Sequence, residues 1–105
     1  MNLFIDTGAS LTVLGLEAFE RLKQGGADLG EPRYIKINTA NGVTTMPVYT
    51  TPSFAIDRYL IKDFEFGVAD LGGSNNESGL LGMNFLSHFR FEIDQTRSEL
   101  ILSKR

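Results

Sequence analysis

Large apolar residues recur at every second position along several short runs, and that period commits the chain to β-structure. Phe64, Phe66 and Val68 alternate, Phe89, Phe91 and Ile93 do the same, and Tyr34/Lys36 alternate against Ile35/Ile37. Successive side chains of a strand point to opposite faces, so each run builds a sheet with one apolar side. Asn41-Gly42 between residues 34–39 and 43–49 is a strong hairpin signal, because both residues tolerate the positive φ of a tight primed turn. The same reasoning predicts a second hairpin, 54–56 with 60–69, turning at Asp57-Arg58. A third closes the chain, 89–93 with 100–102, turning at residues 94–97.

Helical spacing is confined to two places. Residues 16–23 present Leu16, Phe19 and Leu22 on one side, and Gly25-Gly26 stops the run. Residues 83–88 predict one more helical turn. Residues 3–5 and 10–14 read as strands on either side of Asp6-Thr7-Gly8, with Leu11 and Val13 on one face and Thr12 and Leu14 on the other. Residues 71–79 read as a polar, glycine-rich loop, and Leu80-Leu81-Gly82 as a short inner strand. The expected fold is mainly β with one or two short helices.

With 105 residues there is room for one core, so a single domain spanning 1–105 is expected. A net charge of -3 with no basic stripe argues against nucleic acid as a partner. No apolar run approaches the ~20 residues of a membrane span. Cysteine is absent and His88 is the one histidine, which excludes thiol chemistry and leaves no set of residues for a Cys- or His-based metal site. His88 reads as a surface or helix-end residue. The glycine-rich loop lacks a following lysine, so it is not a phosphate loop. Asn76-Glu77-Ser78 fits a glycosylation sequon, best explained as a chance match. Chemistry must then rest on carboxylates, hydroxyls or lysines.

Asp6 is the carboxylate with the most unusual setting. It sits at a bend between two apolar strands, where a charge needs hydrogen bonds to remain ionised. Thr7 supplies a hydroxyl, and Gly8 permits a bend that turns backbone N–H groups towards the carboxylate. Asp57, Asp63, Asp70 and Asp94 lack the Thr-Gly context and fall in predicted turns, hairpins or loops.

Three segments in order, Phe4-Ile5-Asp6-Thr7-Gly8-Ala9-Ser10, Thr39-Ala40-Asn41-Gly42 and Leu80-Leu81-Gly82-Met83-Asn84-Phe85-Leu86, resemble the retropepsin-like aspartic proteases. The likeness is greatest to their single-domain bacterial group and spans about residues 3 to 102. The resemblance implies a small closed β-barrel with a flap hairpin, forming a homodimer that cleaves peptide or protein substrates without a cofactor or metal. Asp6 is then the catalytic aspartate, Thr7 braces the bend across the dimer, and Gly8 lets substrate approach. Ala9, Ser10 and the flap residues Ala40, Asn41, Gly42 and Val43 are implied to contact substrate, although Ser10 alternatively just satisfies the bend. Leu80, Leu81 and Gly82 support the catalytic loop from below. Phe4, Ile5, Leu80, Leu81, Phe85 and Leu86 read as core.

Peptide hydrolysis by this route needs two carboxylates, and the chain has one Asp-Thr-Gly. Its partner is expected to be Asp6 of a second copy. Ala9 cannot donate the hydrogen bond of the hydroxyl residue often found there in pepsin-like relatives, which implies activity at mildly rather than strongly acidic pH. Family members carry another strand before the catalytic motif, and the expectation here is a domain lacking it. The bacterial group often has an N-terminal membrane anchor, so a membrane-anchored or periplasmic precursor is one possible source, with the compartment left open. The other reading of the same fold is a non-catalytic dimerisation or peptide-binding module.

Overall fold

The computed structural model describes residues 2–40, 42–56, 59–94, 96 and 99–104. Its strands are β1 (Asn2–Ile5), β2 (Thr12–Leu14), β3 (Arg33–Thr39), β4 (Gly42–Ile56), β5 (Tyr59–Val68), β6 (Ser78–Leu81), β7 (Phe89–Asp94) and β8 (Glu99–Lys104). Two helices, α1 (Leu16–Gln24) and α2 (Met83–Leu86), interrupt them, with a 3-10 turn at Gly73–Glu77. Six strands form one sheet in the order β1-β6-β2-β5-β4-β3, and β7 pairs with β8 apart from it.

The sheet is built from both ends of the chain. β6 lies between β1, to which it is parallel, and β2, to which it is antiparallel. β2 then runs parallel to β5, and the β3–β4 and β4–β5 hairpins complete the sheet. The register Thr39↔Gly42 closes the first hairpin, with Gly42 at φ +112°. Asn41 there, Asp57-Arg58 in the second hairpin, and Gln95 and Arg97 in the third lie outside the described residues.

Where periodicity predicts two strands, 43–49 and 54–56, the structure has the single 15-residue strand β4. Pro47 and Pro52 hide that continuity, because a proline cannot donate to a ladder and reads as a strand break. Pro52 falls where the β4–β5 ladder is interrupted, between Thr51↔Phe64 and Ser53↔Lys62. Asp63, on the other side of that gap, adopts φ +53°.

The main core is aromatic. Phe54 stacks on Phe64 with ring centroids 4.5 Å apart, and Phe85 meets Phe64 edge-on at 6.1 Å. Phe66, Phe85 and Leu86 are fully buried, and each such side chain contributes about 1.5–3 kcal/mol through burial. Helix α1 covers this core with Ala18 and Phe19, while Leu16, expected on its apolar side, is 44% exposed. Leu16 occupies the first turn, where the helix approaches the 3-10 turn rather than the core. Gly26, at φ +89°, ends α1 by donating to Lys23 O while Ala27 N–H reaches Leu22 O.

Asn76 fixes the other end of α1. Its Oδ1 accepts from Leu71 N–H (2.8 Å) and from Leu16 N–H (3.3 Å), and its Nδ2 donates to Asp70 Oδ1 (2.9 Å). Both polar atoms of the sequon asparagine are thus engaged inside the fold. The 71–79 segment is accordingly more ordered than a loop, a 3-10 turn leading straight into β6 at Ser78.

Candidate active site

β1 ends at Ile5 because the chain turns sharply there. Asp6 N–H donates to Leu81 O (3.0 Å), the last backbone link to β6, and Ala9 N–H then closes back onto Asp6 O (3.1 Å). Gly8 N–H donates to Asp6 Oδ1 at 3.1 Å, so the carboxylate accepts a backbone hydrogen bond from its own turn. Asp6 is half-buried while Thr7 and Gly8 are exposed. The carboxylate is therefore presented at the surface of the chain rather than sunk in its core. The turn needs no positive φ at Gly8, and a Cβ there would meet just Asp6 Oδ1, at 3.4 Å.

The turn is braced from below by residues 81–84. Ala9 O accepts from Met83 N–H (2.8 Å) and Ser10 O from Asn84 N–H (3.1 Å), so the first free N–H groups of α2 hold the loop that follows Asp6. Ala9 is half-buried and Ser10 exposed. Leu81 and Gly82 are buried and Leu80 half-buried. At Gly82 the two segments touch so closely that a Cβ would sit 2.6 Å from Leu11 C and O and 2.9 Å from Thr12 N. Only glycine fits that crossing.

A side-chain network completes the brace, and its centre is Asn84, which lies in the third matched segment but has no role assigned to it from the sequence. Asn84 Oδ1 accepts from both the N–H and the Oγ1 of Thr12, each at 2.8 Å, and Asn84 Nδ2 donates to Glu65 O at 2.6 Å. Thr12 Oγ1 in turn accepts from Gly82 N–H at 3.0 Å. Thr12 has no exposed surface, so these bonds form away from bulk water. One amide joins β2, β5 and α2 directly beneath the Asp6 turn. A lone asparagine in a predicted helical turn carries no local signal of this; the clue available was a polar Thr12 on an otherwise apolar strand face.

Phe4 departs from its expected place in the core: it is 58% exposed. β1 is an edge strand, and by alternation Phe4 and Asp6 lie on the face of the sheet opposite the aromatic core. The residues of the predicted flap sit at the other end of the strand order. Ala40 and Gly42 are exposed, Val43 is 66% exposed, and Asn41 lies outside the described residues. Asp63 falls on β5 and Asp70 in the loop after it, both exposed, and His88 is exposed just after α2. Asn76 and Gly72 N–H, donating to Asp70, hold its carboxyl below the ordinary value. Among the described residues no group of three or more acidic or histidine side chains could hold a metal, and no helix is long and apolar enough to cross a membrane.

These features match known proteins. Residues 1–85 fit the family model for aspartyl proteases. A retropepsin-like aspartic protease from Rickettsia conorii, known from its crystal structure, is 34% identical and superposes with a TM-score of 0.62, covering 93% of this chain and 69% of that one. No curated protein matches the sequence. The family model spans most of the chain and the solved structure shares its mainly β fold, so this chain belongs to the aspartyl protease family, as a retropepsin-like member.

Proposed function

We propose that the chain is an aspartic endopeptidase whose active site is completed by a second copy, Asp6 facing Asp6 across a two-fold axis. The observation that carries this reading is the Asp6 turn itself. Its backbone is tied to Leu81, Met83 and Asn84, while its apex, Thr7 and Gly8, is left exposed. A turn held so firmly from one side, with a carboxylate and a hydroxyl presented on the other, is suited to meeting an identical turn. Thr7 then braces the pair across the axis, and Gly8 leaves room in front of the carboxylates.

Two carboxylates a few Å apart cannot both ionise easily, so they share a proton and titrate as a pair. The ionised member takes a proton from a water molecule, which attacks the scissile carbonyl. The protonated member hydrogen-bonds to the carbonyl oxygen and later protonates the leaving nitrogen. An extended peptide lies between Ala9 and Ser10 below and the hairpin tip, Ala40, Asn41, Gly42 and Val43, above, held largely through its backbone. Leu80, Leu81 and Gly82 keep the catalytic turn in place, and the chemistry needs no cofactor.

The test combines sedimentation with cleavage of a peptide library, with and without pepstatin, for wild type and Asp6→Asn. The expected result is a dimer whose cleavage is lost in the variant. At constant total protein, mixing the two in equal amounts and allowing exchange should leave roughly a quarter of the wild-type activity, since only dimers with two intact aspartates work. Half the activity would show that each chain works alone. A stable monomer without cleavage between pH 3 and 7 would favour the binding-module reading.

A further inference from the structure

Glu65 serves both halves of the candidate site, through different atoms. Its carbonyl oxygen accepts from Asn84 Nδ2 at 2.6 Å, in the brace beneath the Asp6 turn. Its carboxylate Oε2 accepts from Arg33 Nε and Arg33 Nη2, each at 2.9 Å. Arg33 is the first residue of β3, the outer arm of the hairpin that closes at Thr39↔Gly42. It stands opposite Val48, and Glu65 opposite Thr50, so by alternation the two charges share a face and their ion pair passes over β4. That face is opposite the one bearing Phe66, and it is the face to which alternation assigns Asp6.

The position of this pair along the hairpin is what gives it leverage. The β4–β5 ladder begins at Val48↔Gly67, and Val48 is also the residue paired with Arg33. Among the described residues, 34–40 and 42–47 therefore run on as a ribbon of two strands with no third strand paired to it. A two-stranded ribbon is marginally stable by itself, so its root decides how its tip is carried. We propose that Glu65 is a positioning residue: with Arg33 it straps the root of the ribbon to β5, while its own backbone is held by the brace of the Asp6 turn. One residue thus ties the inclination of the hairpin to the catalytic turn. That a peptide is held between tip and turn rests on the endopeptidase reading; the strap itself does not. Both side chains are open to solvent, Arg33 58% and Glu65 41% exposed, so dissolved ions compete with the pair. At about 1 M salt the screening length is about 3 Å, the strap weakens and the ribbon moves more freely.

The test is amide hydrogen exchange, read by mass spectrometry, on wild type, Glu65→Gln and the charge-swapped pair Arg33→Glu with Glu65→Arg. An exposed ion pair is weak, so fragments within residues 34–47 should exchange about two- to fivefold faster in Glu65→Gln than in wild type at low salt. Salt at about 1 M should bring wild type close to the variant, and the swapped pair should restore slow exchange. Fragments from α1 and β6 should keep their wild-type rates. Arg33→Gln breaks the same pair without altering Glu65, and serves if Glu65→Gln does not fold. Unchanged rates at 34–47 in a folded variant would overturn the assignment. So would an equal rise in every segment, which marks a general loss of stability. The matching kinetic readout is cleavage of an uncharged peptide. KM should rise about two- to fivefold with kcat unchanged, since the ribbon holds the peptide and takes no part in the chemistry. Exchange that responds while KM does not would overturn the positioning role. A local exchange response in a protein that never cleaves would leave the strap standing and refute only the endopeptidase reading.

Discussion

Replacing Asn84 by alanine tests whether the brace beneath the Asp6 turn is held by that one amide. The change removes three hydrogen bonds: those accepted from Thr12 N–H and Thr12 Oγ1 and the one donated to Glu65 O. Thr12 is fully buried, so its two donors are orphaned away from bulk water, at a cost of about 1–3 kcal/mol each. Asn84 itself is half-buried, and water entering the vacated space recovers part of that loss. The expected destabilisation is about 2–4 kcal/mol, a large share of the roughly 5–15 kcal/mol typical of a domain. With a urea m-value of about 1–2 kcal/mol/M the unfolding midpoint falls by about 2 M. The assay is urea unfolding at one fixed protein concentration, because association would add to apparent stability. Thr12→Val and the double variant complete a thermodynamic cycle, with a coupling of about 1 kcal/mol or more. Loss below about 0.5 kcal/mol in Asn84→Ala, or additivity within about 0.3 kcal/mol in the cycle, would refute the network argument.

Three further outcomes follow from the same geometry. Ala9→Ser places a donor beside the Asp6 turn; favouring the ionised carboxylate lowers the acid limb of the kcat/KM profile, so activity extends to lower pH than in wild type. Gly82→Ala forces a Cβ against the Leu11 and Thr12 backbone, which cannot yield as a side chain would. It costs about 3 kcal/mol and lowers the calorimetric melting temperature by about 15 °C. Asp70 is held below its ordinary value by Asn76 and Gly72 N–H. Its stabilising effect is present above the unfolded value and lost as pH falls through the depressed one. The gap in urea midpoint between wild type and Asn76→Ala should therefore narrow in acid; a gap constant down to pH 2 would contradict the Asp70 assignment.

Local pattern disclosed local structure. The hairpin arms around Gly42, the alternation of Phe64 and Phe66, the turn at Asp6-Thr7-Gly8 and the helix ending at Gly26 all depend on neighbours in sequence. What depended on distant contacts stayed hidden. β4 was masked by two prolines whose missing donors matter only where a ladder needs them. Phe4 looks like any strand residue until β1 is known to be an edge. Ala18 is buried and Leu16 is not, because the first turn of α1 meets the 3-10 turn, a contact that spacing alone does not give. The bracing role of Asn84 became visible only when Thr12, 72 residues away, was beside it. Of the candidate site, the Asp6 turn was readable from its own residues, whereas its support came from the far end of the chain.

That support has a consequence for how the molecule comes into being. During synthesis Asp6 emerges well before its brace, because β6 and α2 are made only after β2 to β5 have followed. Pairing β1 with β6 closes a loop of about three-quarters of the sequence, an entropically late step in a slow, non-local topology. A nascent chain thus carries its acid long before it can hold it in register. On the reading proposed above, completion of the fold acts as a timer on the chemistry, because the Asp6 turn is not held until β6 threads between β1 and β2.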